Sequence, residues 1–197
     1  MPRVIDREER ELRIAEAALR LLGDSGPGGL TLRRLAEELG GSITLITHFY
    51  RNRDELLEGI LATVLAGYET ELEELERGAD AHGRLRILLE WLLPLDEPSR
   101  LQEKGRILML GHLGPDRAVR RFVDAMEERM TGLLRRHLEP LTPAPDVAGA
   151  VDALRVVTNG VVLSVVEHPG EWPAGRQLEV LDCALGALGL ARVAARD

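Results

Sequence analysis

Apolar residues in this chain recur at intervals of three and four almost from end to end, and no stretch sustains a period-two alternation. That spacing is the signature of helices with one buried face, whereas a half-buried strand needs alternation. The first stripe, Leu12, Ala15, Leu19 and Leu22, ends at Gly23. Further on, Pro94, Pro98, Pro115, Pro140, Pro143, Pro145, Pro169 and Pro173 fall between the periodic stretches. Proline lacks an amide hydrogen and clashes with a preceding helical turn, so it is expected at such breaks. The breaks predict helices over 83–93, 99–111, 116–137, 146–167 and 175–188. With those of the N-terminal third, the chain is expected to be all-α, with about nine helices. No repeat of 20–50 residues is apparent, which disfavours a solenoid.

The N-terminal third carries the most specific pattern. The cluster DSGPGG (24–29) reads as a loop by composition. Thr31 then stands as an N-cap before Leu32, Leu35 and Leu39, with Gly40-Gly41 as the stop. Ser42 is expected to cap a short segment through Tyr50, and Asn52 precedes a long helix bearing Leu57, Leu61, Val64, Tyr68 and Leu75. A short helix, a Gly-Gly-Ser turn and a second short helix is the layout of a helix-turn-helix, whose second helix enters the DNA major groove by one face. At 100° per residue, Ser42, Ile46, Phe49 and Tyr50 share one side and are expected to pack on Leu35 and Leu39. Thr44, Leu45, Thr47 and His48 share the other side and are expected to face outward. A helical hairpin of an ordinary core has the same layout; what favours DNA is that the outward face is small and carries no acid.

Charge narrows the kind of DNA binding. The chain has 25 Lys+Arg against 33 Asp+Glu, a net −8, which excludes coating nucleic acid by bulk charge. Aromatic residues are only 3%, too few for a platform that stacks successive single-stranded bases. Within the acidic whole, residues 42–53 hold Arg51 and Arg53 and no acid, so this tip is formally +2. Residues 1–55 hold 9 basic and 10 acidic side chains, while 56–197 hold 16 and 23.

Other chemistries find no footing. Cys183 is the single cysteine, so an internal disulfide is impossible and a cysteine-based zinc site is not expected; it falls in an apolar helical pattern and is expected to be an inert small hydrophobe. The five histidines (His48, His82, His112, His137 and His168) have no metal-ligand spacing, and no nucleophile elbow, phosphate loop or dinucleotide fingerprint occurs. The chain is therefore not expected to be an enzyme or to hold a metal or cofactor. No apolar run is expected to reach the ~18–20 residues of a membrane span, and the first residues lack a leader-like apolar core, so a cytoplasmic protein without a membrane partner is expected.

The stretch from about Arg10 to Leu56 resembles the DNA-binding region of the tetracycline-repressor (TetR) family of bacterial transcriptional regulators. The resemblance is carried by I-A-E-A-A-L-R-L-L (14–22), Gly29, Thr31, L-A-E-E-L-G (35–40), Ser42 and H-F-Y-R-N-R-D-E-L (48–56). More weakly, P-L-D-E-P-S-R (94–100) and the later Asn159-Gly160 segment are similar to the betaine-regulator-like branch. The resemblance implies a helix-turn-helix domain over 1–52 and a helical ligand-binding and dimerisation domain over 53–197. It implies that Thr31 and Arg33 meet phosphate, that Ser42, Ile43, Thr44, Leu45 and Thr47 line the reading helix, that His48 lies beside phosphate or base, and that Arg53 replaces a backbone-contacting lysine. Two residues depart from the family pattern: Gly41 stands where a valine is usual, and Thr47 where a tyrosine is usual. With no Arg, Lys, Asn or Gln between Ser42 and Tyr50, strong bidentate base pairing is unavailable, and contact with thymine methyls is expected instead.

In the C-terminal part, Val147, Val151, Leu154, Thr158, Val161 and Val165 alternate at four and three, as do Leu178, Leu181, Leu185 and Leu188. Such stripes suit either an internal core or helix packing between protomers. The resemblance implies the second, a homodimer formed by the last two helices through Val151, Leu154, Thr158, Val161, Val165, Leu178, Leu181, Leu185 and Leu188. It also implies a small-molecule effector, for which Trp91, Met109, His112, Phe122, Met126 and Asn159 are the candidate lining. The reading that results is a ligand-responsive repressor of a palindromic duplex operator. Its rivals are an activator without an effector and a helical adaptor that binds protein.

Overall fold

The computed structural model describes residues 3–111, 113 and 116–191. His112 lies outside them. Among the described residues there are nine α-helices, one 3-10 turn and no strand. In chain order these are α1 (Arg3–Gly29), α2 (Leu32–Glu38), α3 (Ile43–Thr47), α4 (Arg53–Leu75), α5 (Ala81–Trp91), α6 (Glu97–Leu110), α7 (Arg117–Leu138), a 3-10 turn at Ala144–Asp146, α8 (Val147–Glu167) and α9 (Ala174–Ala187). The later helices thus begin and end within two residues of the predicted bounds, although Pro98, expected at a break, lies inside α6. It sits in the first turn, where a missing amide hydrogen costs nothing.

The chain forms two compact units. One comprises residues 1–70 and 101–126, and the other 71–100 and 127–197. The sequence boundary near residue 52 does not coincide with a boundary between units, because α4, α6 and α7 each contribute residues to both.

In the first unit, one face of α1 buries Ile14, Ala15, Ala18, Leu21 and Leu22 with Leu35 of α2, Ile46 of α3 and Leu56, Leu57 and Ile60 of α4. Met109 of α6 and Val119 and Phe122 of α7 complete this core. Helices α1 and α6 cross where neither has a side chain. A Cβ on Gly105 would lie 3.0 Å from the Gly23 Cα and 3.1 Å from its nitrogen, so only glycine allows the approach. The predicted loop at 24–29 is a correction: α1 runs through it, broken only at Gly26, whose φ of 64° and ψ of −175° suit glycine alone. Pro27 follows that break and opens the last turn, which is where proline is tolerated.

In the second unit, the stripes of α8 and α9 face inward. Val151, Leu154, Thr158, Val161, Val165, Leu181 and Leu185 are all buried within the single chain. The Gln177 amide, also buried, donates to the carbonyls of Pro94 and Trp172 and so ties the start of α9 to the segment after α5. Arg155 of α8 makes a bidentate pair with Glu127 of α7 at 2.6–3.0 Å. His137 places Nδ1 2.7 Å from the Leu133 carbonyl and Nε2 2.6 Å from the Glu76 carboxylate, joining α7 to the turn that ends α4. By length and composition alone α8 is apolar enough to cross a membrane, which the sequence expectation missed. Its eight buried residues and the Arg155 ion pair mark it as a core helix.

Candidate nucleic-acid interface

The helix-turn-helix is assembled from local rules that the sequence states openly. Thr31 takes extended backbone angles and its hydroxyl accepts the Arg34 amide at 3.2 Å, capping α2. The helix ends in paired closing bonds: Gly40 N–H to the Glu37 carbonyl at 3.0 Å and Gly41 N–H to the Ala36 carbonyl at 2.9 Å. Gly40 adopts φ 64°, the left-handed conformation this ending requires. The absent valine side chain at Gly41 leaves these bonds intact, and Leu45 Cδ2 lies 3.3 Å from where a Cβ would stand.

Helix α3 then presents two unlike faces. Ile46 and Tyr50 are buried and Phe49 is half-buried, as the helical wheel requires. Ser42 departs from the wheel. It occupies the N-cap with extended angles, its side chain makes no capping bond, and it is exposed because it precedes the helix. Thr44, Leu45, Thr47 and His48 are exposed, as is Ile43 at 48%, against 37% for Leu45. Thr47 Oγ1 donates to the Thr44 carbonyl at 3.3 Å, so its hydroxyl is engaged by the backbone. The ring of His48 meets Phe49 edge-on at 5.5 Å, and the Arg7 guanidinium of α1 stands 6.0 Å from the Phe49 centroid.

Tyr50 anchors the reading helix to α4. Its ring lies against the backbone of Gly59: a Cβ there would stand 2.8 Å from both Cζ and Oη. Burial, reinforced by Glu11, pushes the Tyr50 phenol above its ordinary pKa, so it stays neutral. Sequence reasoning missed Gly59; a lone glycine inside an apolar helical stripe is the signal that marks such a close approach.

The formal +2 of the tip is reduced by pairing. Arg51 binds Glu55 at 2.7 Å, and the same carboxylate accepts the Arg51 amide at 2.9 Å. These bonds hold Glu55 below the usual carboxylate range and Arg51 above its own. Asn52 accepts the Glu55 amide at 2.9 Å and starts α4. Arg53 points inward, with Nη1 2.6 Å from Asp116 Oδ2, Nη2 3.0 Å from the Pro27 carbonyl and Nε 3.3 Å from the Leu30 carbonyl. Arg33 on α2 is well exposed and meets Glu37 at 3.1 Å.

The other predicted site residues do not form one group. Met109 and Phe122 are buried in the first unit's core and Met126 packs partly against it, whereas Trp91 and Asn159 belong to the second unit. Of the nine predicted interface residues, seven are buried inside the protomer, Leu178 is half-buried and Leu188 exposed. The outward side of α8 instead carries Val156, 71% exposed, with Leu163 and Gly160, and that of α9 carries Cys183, Gly186 and Ala187. Heptad spacing finds the face a helix buries but does not say whose core receives it. Cys183 is exposed, not the packed hydrophobe expected from its apolar surroundings.

A capped short helix, a glycine turn and a second short helix with one buried and one acid-free exposed face define a helix-turn-helix DNA-binding protein. The family profile for bacterial regulatory proteins of the tetR family matches residues 14–60, and that for the BetI-type transcriptional repressor C-terminal domain matches residues 81–190. The chain belongs to the TetR family of transcriptional regulators, with a BetI-type C-terminal domain. It is similar to the regulator PksA of Bacillus subtilis, 40% identical over 57 residues, which are 29% of this chain and 28% of that protein. Among solved structures it resembles a transcriptional regulator of Rhodococcus sp. RHA1 (TM-score 0.77, 23% identity, covering 93% of this chain and 98% of that one). It also resembles a regulator of Saccharomonospora viridis solved with choline (TM-score 0.73, 21% identity, covering 90% and 96%).

Proposed function

We propose that the chain is a ligand-responsive repressor that binds a palindromic duplex operator as a homodimer. The observation that carries this reading is the exposed, acid-free face of α3, held on a buried Ile46–Tyr50 face. Ile43, Thr44, Leu45 and Thr47 meet base edges in the major groove, with Ser42 and His48 at the margins. The capped start of α2, Thr31 with Arg33, meets phosphate through its N-terminus and charge. Residues 1–52 thus serve as the reading domain.

Two copies are needed because a two-fold operator presents its half-sites about one helical turn, or a multiple, apart. The exposed sides of α8 and α9 supply the dimer face, through Val156, Leu163 and Leu188. A small-molecule effector is supported by the relative that carries choline. It acts by favouring the arrangement of lower operator affinity, and its effect is limited to its difference in affinity for the two arrangements. A cytoplasmic setting follows from this activity.

Selection from random duplex DNA tests the reading. An inverted repeat is expected, bound with an affinity that falls steeply with salt. Recovery of no sequence, or of a site without two-fold symmetry, overturns it. Titrating choline into the operator complex tests that effector; unchanged affinity up to millimolar concentration rejects choline.

A further inference from the structure

We propose that Arg53 is a positioning residue that clasps both corners of the helix-turn-helix to the first turn of α7, rather than a phosphate contact. This rests on the operator-binding reading above. Arg53 opens α4, six residues after the reading helix ends, so it stands at the corner between α3 and α4. Its Nη2 and Nε donate to the carbonyls of Pro27 and Leu30, which flank the corner between α1 and α2. Its Nη1 binds Asp116 Oδ2 at 2.6 Å, while Asp116 Oδ1 accepts the amides of Ala118 and Val119 at 3.0 and 3.1 Å and caps α7. All of these groups belong to the first unit.

The arrangement suits a planar fork and not a point charge. Three acceptors in three directions take three of the guanidinium's five donors, which a lysine ammonium on a single stem reproduces poorly. The side chain is 28% exposed, and turning it outward would remove one donor from each of two backbone carbonyls and a carboxylate, although the Pro27 carbonyl keeps the Leu30 amide and Asp116 keeps those of Ala118 and Val119. One phosphate contact in water, screened by salt, does not offset three such losses. Arg33 is by contrast 84% exposed, and its solvent-exposed pair with Glu37 is weak enough to be exchanged for a phosphate.

The test uses the full chain and its selected operator, with affinity measured across salt for Arg53→Lys, Arg53→Gln and Asp116→Asn. Each is expected to weaken binding about tenfold with the slope of log affinity against log salt unchanged, since no phosphate contact is lost. Arg53→Lys keeps charge and stem, so it preserves any phosphate contact while breaking the clasp; undiminished affinity in this variant overturns the proposal. So does a slope reduced by about 0.9 per half-site in Arg53→Gln. Tighter binding by Asp116→Asn, which frees the guanidinium, overturns it as well. Thermal melting without DNA gives an independent cycle: the double variant Arg53→Gln, Asp116→Asn is expected to melt little below either single one, and strictly additive shifts refute the clasp. If the native chain selects no duplex, the operator reading fails and the melting cycle still decides the clasp.

Discussion

Replacing thymine by uracil in the operator isolates the chemistry of α3. The exchange removes a single methyl from the major groove and leaves base pairing and every phosphate in place. Ile43 and Leu45 are 48% and 37% exposed, and Thr47 is exposed with its hydroxyl engaged by the Thr44 carbonyl. No side chain from Ser42 to Tyr50 offers the fork or amide that reads guanine or adenine in two-bond fashion. Burying a methyl is worth about 0.8 kcal/mol, close to fourfold in affinity, so one thymine in each half-site of a palindrome gives about 1.6 kcal/mol, or roughly fifteenfold. Anisotropy of a labelled operator at fixed salt measures this position by position. The loss is expected at one or two thymines per half-site with no change in salt slope. Placing 5-methylcytosine at the same position, with guanine opposite, is expected to restore part of it. Uracil-substituted operators that bind within twofold of the parent at every position, alongside large losses on altering guanines, would refute methyl reading.

Three further outcomes follow from particular side chains. Gly59→Ala drives a Cβ into the Tyr50 ring and is expected to cost about 1–3 kcal/mol in thermal or denaturant unfolding, whereas Gly132→Ala, with open space at its Cβ, is expected to be neutral or stabilising by up to about 1 kcal/mol. Val156→Asp is expected to weaken self-association in sedimentation without loss of helicity, while Leu154→Ala, fully buried, is expected to destabilise the protomer by about 2–5 kcal/mol. Burial opposes ionisation of Asp116, but the Val119 amide, Arg53 and the Ala118 amide together outweigh it and lower its pKa. A depressed carboxylate stabilises the fold above its unfolded pKa of about 3.9 and loses that contribution as pH falls through the folded value. Melting temperature is therefore expected to drop below about pH 4, with a shallower acid limb in Asp116→Asn.

How much of this was legible in the sequence depended on the range of each interaction. Thr31, Gly40 and Asn52 act on residues within four positions, so their types and spacing announced the start of α2, its end and the start of α4. The wheel placed Ile46 and Tyr50 inward and Thr44, Leu45, Thr47 and His48 outward. It failed at Ser42, whose extended angles take it off the helical spiral. The run 24–29 looked like a loop because it is rich in glycine and proline, yet only Gly26 leaves helical geometry. The stripe through Val151, Leu154 and Thr158 was found correctly as a buried face, but periodicity is blind to whether the burying surface is another protomer or the same chain. Arg53 and Asp116 lie 63 residues apart, and nothing local in either segment signals the pair.

If the chain binds an operator as proposed, the engagement of Arg53 by Asp116 also bears on how fast that target is found. Residence on random sequence grows with the number of phosphates neutralised at once, and it is this loose hold that lets a protein slide. On the proposed reading, a head whose Arg53 is held by Asp116 and two carbonyls has one phosphate contact fewer to make on unrelated DNA and would detach from it sooner. Its search would then proceed by frequent release and re-encounter, with short excursions along the duplex. The surplus of genomic sequence would then sequester little of the protein, and the lifetime of the proposed operator complex would be set by the fit of α3 in the groove.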